Sequence, residues 1–182
     1  IGQYTNDDGV TPDYTTGDGN SESDLYGLLS PAGVAMDPVG HRLFVADSSH
    51  NRVLVFDLNS FNQLVDKTPD YVLGQSTFYS NLATTTQSGL YDPIGLAYDS
   101  ANQRLFVADN NNHRVIAYDV ASITNGENAV AVLGQANYAS SGLAITQSGM
   151  RNPVGLAYDS VNQRLFVANR NRVTVYNATS TI

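Results

Sequence analysis

The chain has 182 residues, 42% of them hydrophobic, with 9 basic against 17 acidic side chains and a net charge of -8. That length and apolar content suit one domain, residues 1–182, with a core of its own, and the negative field repels phosphate backbones and anionic headgroups, so neither nucleic acid nor a membrane surface is an expected partner. There is no cysteine, which removes disulfides, thiol catalysis and cysteine-held zinc, and no run approaches the roughly 18 apolar residues of a membrane-spanning helix.

The chain opens with Ile1-Gly2-Gln3, a triplet that returns as Leu73-Gly74-Gln75 and Leu133-Gly134-Gln135. Between Gln3 and Pro31 it carries ten residues more than the equivalent later stretches, and the surplus is acidic: Asp7, Asp8, Asp13, Asp18, Glu22 and Asp24. Asp18, Asn20, Glu22 and Asp24 alternate in a way that presents several oxygens to calcium, a hard cation that needs them. The glycine at the sixth loop position and the closing glutamate of an EF-hand are both missing. The same stretch also reads as a solvated loop with Gly and Asn at its turns.

Three segments then align. The first runs from Pro31 to Asp57, the second from Pro93 to Asp119 and the third from Pro153 to Asn177, the last two residues shorter in one loop. Their leading prolines are 62 and 60 residues apart. Within the second copy, Gly95–Tyr98, Arg104–Ala108, Arg114–Tyr118 and Ala129–Leu133 are short apolar runs of period two, the pattern of strands. Ser100–Gln103 and Asn110–His113 supply the hairpin loops between them. A turn near Leu58–Leu64 is the one helical candidate. Four antiparallel strands per copy describe a propeller blade, and the fold class is all-β.

The order P-x-G-[LV]-A-x-D, R-L-F-V-A-D and then R-V after a polar loop, quoted in the second copy by Pro93, Gly95, Asp99, Arg104, Asp109 and Arg114, resembles the NHL repeat. Thr16-Gly17-Asp18-Gly19-Asn20 followed by Leu25 is similar to the Gly-Asp-Gly lead-in of such propellers. The resemblance implies a β-propeller built of three four-stranded blades, half or part of a roughly six-bladed ring. It leaves function open, since the family includes RNA-binding, protein-binding and lyase domains. Its lyases hold a metal with several histidines in the channel, and His41, His50 and His113 do not reproduce that set; each is expected on a loop surface. The last copy stops after its third strand, and Ile1–Tyr4 matches a fourth. Two chains closing a ring, chains adding head to tail, or a piece of a longer propeller are the competing expectations.

Arg42, Arg104 and Arg164 share one repeat position, with Asp37, Asp99 and Asp159 five residues earlier. Arg52, Arg114 and Arg172 share another, preceded by Asp47, Asp109 and Asn169. A residue needed by every blade serves the frame, so these arginines are expected in charge-assisted bonds. Only Arg151, Arg170 and Lys67 then remain as cations for a phosphate ligand, too few for a binding stripe. Tyr98, Tyr118, Tyr158 and Tyr176 sit on strands and are expected in packing, whereas Tyr4, Tyr14, Tyr79, Tyr91 and Tyr138 fall in Ser/Thr/Asn-rich linking loops suited to a protein or glycan partner. Neither a G-x-S-x-G elbow nor a Gly-rich phosphate loop occurs. The expected function is a non-catalytic, extracellular or cell-surface binding or scaffold module that self-associates by strand exchange. The competing expectation is a calcium-dependent hydrolase or lyase with its site in the channel.

Overall fold

Every apolar run of alternating pattern becomes a strand in the computed structural model, which describes residues 27–66 and 68–178. The first blade is a four-stranded antiparallel sheet in sequence order: β1 (Pro31–Asp37), β2 (Arg42–Asp47), β3 (Arg52–Asp57) and β4 (Tyr71–Leu73). The second repeats it with β5 (Pro93–Asp99), β6 (Arg104–Asp109), β7 (Arg114–Asp119) and β8 (Ala131–Leu133). In the third blade the described strands are β9 (Pro153–Asp159), β10 (Arg164–Asn169) and β11 (Arg172–Asn177).

The fourth strand of the second blade is shorter than the sequence pattern predicts. Ala129 donates instead to the Gln87 carbonyl at 3.0 Å, in the linker that crosses above it. The Leu58–Leu64 segment is not helical. Asn59 Oδ1 accepts from the Phe61 and Gln63 amides at 2.9 and 3.0 Å, and this turn closes an antiparallel bridge between Leu58 and Leu64. The helical pieces among the described residues are two single 3-10 turns, Ser48–His50 and Asn110–Asn112, in the loops before β3 and β7. Each ends on a left-handed residue, Asn51 (φ 54°) or His113 (φ 53°).

Register fixes which residues share a face. In the second blade Ala97, Phe106 and Ala117 lie opposite one another across three strands, and Ala108 pairs with Val115. Ala97, Phe106, Val115 and Ala117 are buried with Leu165, Val167 and Met150 in the cluster between the second and third blades. The first blade offers Phe44, Ala46, Val53 and Val55 to Leu96, Leu105, Ile116 and Tyr118 of the second. Every blade thus has a face towards its predecessor, bearing the strand leucines and tyrosines, and a face towards its successor, bearing Gly, Ala, Phe and Val. Consecutive blades meet chiefly through their first strands. There the backbones come so close that a Cβ on Gly33 would sit 2.1 Å from the Ile94 carbonyl, and one on Gly95 2.2 Å from that of Val154. That closeness is why the first two repeats need glycine in Pro-x-Gly.

Candidate functional site

The repeated arginines divide into two kinds. Arg52 and Arg114 are fully buried hubs. Arg114 Nε donates to Asp109 Oδ2 at 2.6 Å, and Nη2 donates to the carbonyls of Thr86 and Gly89 at 2.9 Å each. Its Nη1 reaches the Tyr138 carbonyl. Arg52 makes the same set with Asp47 at 2.7 Å, the Phe78 carbonyl at 2.5 Å and the Gly27 carbonyl at 2.9 Å. One guanidinium thereby ties the end of the second strand to the linkers entering and leaving the blade. In the third blade Arg172 has neutral Asn169 (3.2 Å) in place of an aspartate, and the Gly149 carbonyl at 2.6 Å. Burial presses the Asp109 carboxyl upwards, and the Arg114 guanidinium opposes it together with the Asn112 and Tyr91 donors.

The other set departs from expectation. Only Arg42 forms the ion pair, with Asp37 Oδ2 at 2.7 Å; among the described residues neither Arg104 nor Arg164 has a carboxylate within 4.0 Å. The aspartates at this position are turn formers. Asp37 accepts from the Gly40 amide at 2.8 Å, and Asp99 from the Ala101 amide at 3.1 Å and the Asn102 side chain at 2.7 Å. Asp159 closes its own hairpin in the same way. The tyrosine of the next blade then reaches back: Tyr158 Oη donates to Asp99 Oδ2 at 2.9 Å.

Burial presses on the Asp37 carboxyl, yet the Gly40 amide, Arg42 and Tyr98 together hold it below its ordinary value of 3.8. Burial, then the hydrogen bond and charge of Asp37, push Tyr98 up to about 12. A carboxyl depressed by folding stabilises the protein above 3.8, and that contribution is lost as the pH falls through the folded value. A phenol raised by folding stabilises below 10.0, and that contribution is lost as the pH climbs towards about 12. Denaturation midpoints across pH should therefore fall at both ends. Asp37→Asn should flatten the acid limb and Tyr98→Phe the alkaline one; unchanged limbs would place both groups in free solvent.

The histidines are not gathered. His41 Nδ1 meets Asn62 Oδ1 at 2.7 Å, and His113 Nδ1 accepts from the Asn152 amide at 3.2 Å. His50 is buried rather than on a loop surface, with Nδ1 2.9 Å from Asp47 Oδ2, the place that Asn112 takes beside Asp109. Among the described residues no group of three or more His, Asp or Glu is arranged to hold a metal. The calcium expectation on Asp18, Asn20, Glu22 and Asp24 lies outside the described residues, as do Tyr4, Tyr14, Lys67 and the Ile1–Tyr4 strand. A cleft of about 610 Å³ opens between the first two blades, lined by Asp37, Arg42, Asp57, Tyr71, Tyr98 and Gln103. Its guanidinium is already engaged by Asp37 and the Val120 carbonyl.

The linkers show what the repeated Gly-Gln is for. Gly74 and Gly134 adopt φ of 87° and 88°, a region that favours glycine. Gln75 Nε2 then donates to the Asn51 and Leu82 carbonyls at 2.8 and 2.9 Å, and Gln135 Nε2 to those of His113 and Gly142 at 3.0 and 2.8 Å. Of the linker tyrosines, Tyr79 and Tyr91 are exposed, whereas Tyr138 packs against the core between the first two blades. Tyr98 and Tyr158 lie 5.9 and 5.5 Å, centroid to centroid, from Phe44 and Phe106 of the preceding blades.

One surface was missed in the sequence. The successor face of the third blade consists of Gly155, Ala157, Phe166, Ala168, Val173 and Val175, in the rows set by the pairing of β9, β10 and β11. These six are identical to Gly33, Ala35, Phe44, Ala46, Val53 and Val55 of the first blade. There Phe44, Ala46, Val53 and Val55 are buried, and Gly33 and Ala35 half-buried. Here Phe166, Val173 and Val175 are 36%, 62% and 52% exposed. The signal was present as identity between copies, but identity does not say which face meets which neighbour.

Antiparallel blades of this kind, packed side by side through their first strands, define a β-propeller repeat protein. The NHL repeat model matches residues 28–56 and 90–118, within the first two blades. A chain in the crystal structure of a nidogen/laminin complex is similar with a TM-score of 0.54 and 18% identity, over 84% of this chain and 46% of that one. Kuenenia stuttgartiensis hydrazine synthase is similar with a TM-score of 0.58 and 14% identity, over 88% of this chain and 35% of the other. This chain spans less than half the length of either, and at such identities the likeness is one of fold. No curated protein sequence matches it. The first two blades thus carry NHL repeats, on a fold that is a β-propeller's.

Proposed function

We propose that this chain is a non-catalytic binding or scaffold module, acting outside the cell or at its surface, and that it binds through the successor face of its third blade. The observation that carries this reading is the exposure of an apolar face identical, residue for residue, to one that the first blade buries. Contiguous exposed apolar surface on a water-facing protein marks an interaction site. The acidic, nearly lysine-free surface and the Ser/Thr/Asn-rich linkers suit a protein or glycan partner better than a polyanion, and the likeness to a chain crystallised in a nidogen/laminin complex fits an extracellular interaction role. The hydrazine synthase likeness does not turn the chain into an enzyme, because fold alone does not carry chemistry.

The test is a surface change. The double substitution Val173→Thr and Val175→Thr keeps β-branched side chains on a strand and, at exposed positions, should alter stability by no more than about 0.5 kcal/mol. Binding of an apolar fluorescent dye to dilute protein should fall to roughly half or less, because an open apolar patch has been made polar. Unchanged dye binding by a monomeric protein would remove the face as a binding surface. Turnover of a substrate that is lost with chelator and restored by calcium would replace the reading with the hydrolase or lyase alternative.

A further inference from the structure

The third blade departs from the other two in the loop between its second and third strands. In the first two blades this loop carries a 3-10 turn that clasps the following blade. Ser48 Oγ donates to the Pro93 carbonyl, and Asn110 Nδ2 to the Pro153 carbonyl at 2.9 Å. Asn51 Oδ1 and His113 Nδ1 accept from the amides of Asp92 and Asn152 at 2.8 and 3.2 Å. The third loop has only Arg170 and Asn171 between Asn169 and Arg172, and no 3-10 turn. Its four clasp positions are reduced to two, so this loop is not built as a clasp.

The charge around it is inverted as well. Beside the second loop stand two carboxylates, Asp92 and Asp109, and one guanidinium, Arg114. In the third copy both acids are amides, Asn152 and Asn169, while Arg172 remains. Two arginines are added: Arg151 where the second copy has Tyr91, and Arg170 within the loop. Arg151, Arg170 and Arg172 line one pocket of about 160 Å³ together with Ile145, Asn169 and Asn171. Among the described residues no carboxylate lies within 4.0 Å of any of the three. The Leu29 and Tyr91 amides donate to Asp47 and Asp109 at 2.7 Å each. The Arg151 amide has no described acceptor, since Asn169 Oδ1 accepts from Arg172 Nε, and Arg151 Nε is buried without a partner. Three guanidiniums around one pocket repel one another unless an anion joins them.

We propose that Arg151, Arg170 and Arg172 form a binding site for one doubly charged tetrahedral oxyanion, a sulfate or phosphate group. Guanidiniums meet such oxygens with paired donors, and three of them suit a group with three free oxygens better than a carboxylate with two. The net charge of -8 repels a long polyanion, which limits the occupant to a single group. The site uses none of the apolar residues of the strand face. It goes beyond the binding-module reading, and either can fail without the other.

Calorimetric titration of the full chain at constant ionic strength tests the proposal, with inorganic sulfate, inorganic phosphate and acetate as probes. Sulfate and phosphate should each saturate one site with a millimolar or lower dissociation constant, and the tighter of the two names the group. Acetate should bind at least roughly tenfold more weakly. Arg170→Asn supplies a residue that tolerates the left-handed backbone there (φ 43°) and should weaken sulfate roughly tenfold. Asn169→Asp restores the carboxylate of the first two blades. It should weaken sulfate as much, while the melting temperature stays at or above that of wild type, because Asp47 and Asp109 hold the same place beside their arginines. Lost binding with retained stability separates a ligand site from a structural cluster. No saturable binding of either dianion, acetate as tight as sulfate, or binding that survives both substitutions would each overturn the proposal. A single-stranded oligonucleotide that binds more tightly than either ion, with an affinity falling steeply with salt, would overturn the single-group occupant.

Discussion

Arg114→Ala should cost about 3–5 kcal/mol, the range for removing one partner of a buried ion pair. Whole-domain stabilities run to only about 5–15 kcal/mol, so this variant should sit near the edge of folding at room temperature. The guanidinium has no exposed surface and holds Asp109 and three linker carbonyls at once. Removing it leaves a carboxylate and several acceptors in a space that water does not reach. Burial then acts on Asp109 without its main opponent, so its carboxyl rises further and the variant should regain stability as the pH is lowered through the carboxylate range. Denaturant titration of wild type and variant at neutral and acid pH measures both effects. Arg172→Ala is the internal control. Its partner Asn169 is neutral, so the expected cost is about 1–2 kcal/mol with no such pH dependence. A loss below about 1 kcal/mol at Arg114 would mean that water solvates the pair.

Phe106→Ala should destabilise by about 3–5 kcal/mol, the usual cost of emptying a buried phenylalanine site. Its ring is fully buried and lies 5.5 Å from that of Tyr158, among Leu165, Val167 and Met150. Phe166→Ala, at the same position of the next copy and in the same Arg-Leu-Phe-Val-Ala context, should cost no more than about 1 kcal/mol in the monomer. Thermal melts of the two variants give the comparison directly. Equal losses would mean that Phe166 is covered in the isolated chain, and the open face would then be lost as a binding surface.

Much of the fold was legible because β-structure writes itself locally. Alternation of period two placed β5 to β7 within one or two residues of their ends, and the repeat, bounded by Pro31 and Asp57, Pro93 and Asp119, and Pro153 and Asn177, carried the same strands to the other two copies. The left-handed glycines at Gly74 and Gly134 were visible as a repeated triplet, although their purpose, aiming Gln75 and Gln135 into the linker carbonyls, was not. The arginine pairings were half legible. Asp109 and Arg114 face each other across one rung of a hairpin, where register alone brings them together. Asp99 and Arg104 also share a rung, yet Asp99 bonds to its own turn and to Tyr158 of the next blade without the arginine that the equivalent Asp37 holds.

By itself the sequence determined the repeat unit, its strands and which residues alternate to opposite faces, because these depend on neighbours two to five residues away along the chain. Only the tertiary structure decided which face of each blade meets the blade before it and which meets the blade after it. That choice buried His50 beside Asp47, joined Tyr158 to Asp99, and gave six identical residues two different fates, covered in the first blade and open in the third. The pleat and the pairing rules are the same for both faces of an isolated strand. What separates them is the packing of one sheet against another, an interaction between residues some sixty positions apart that no local pattern encodes.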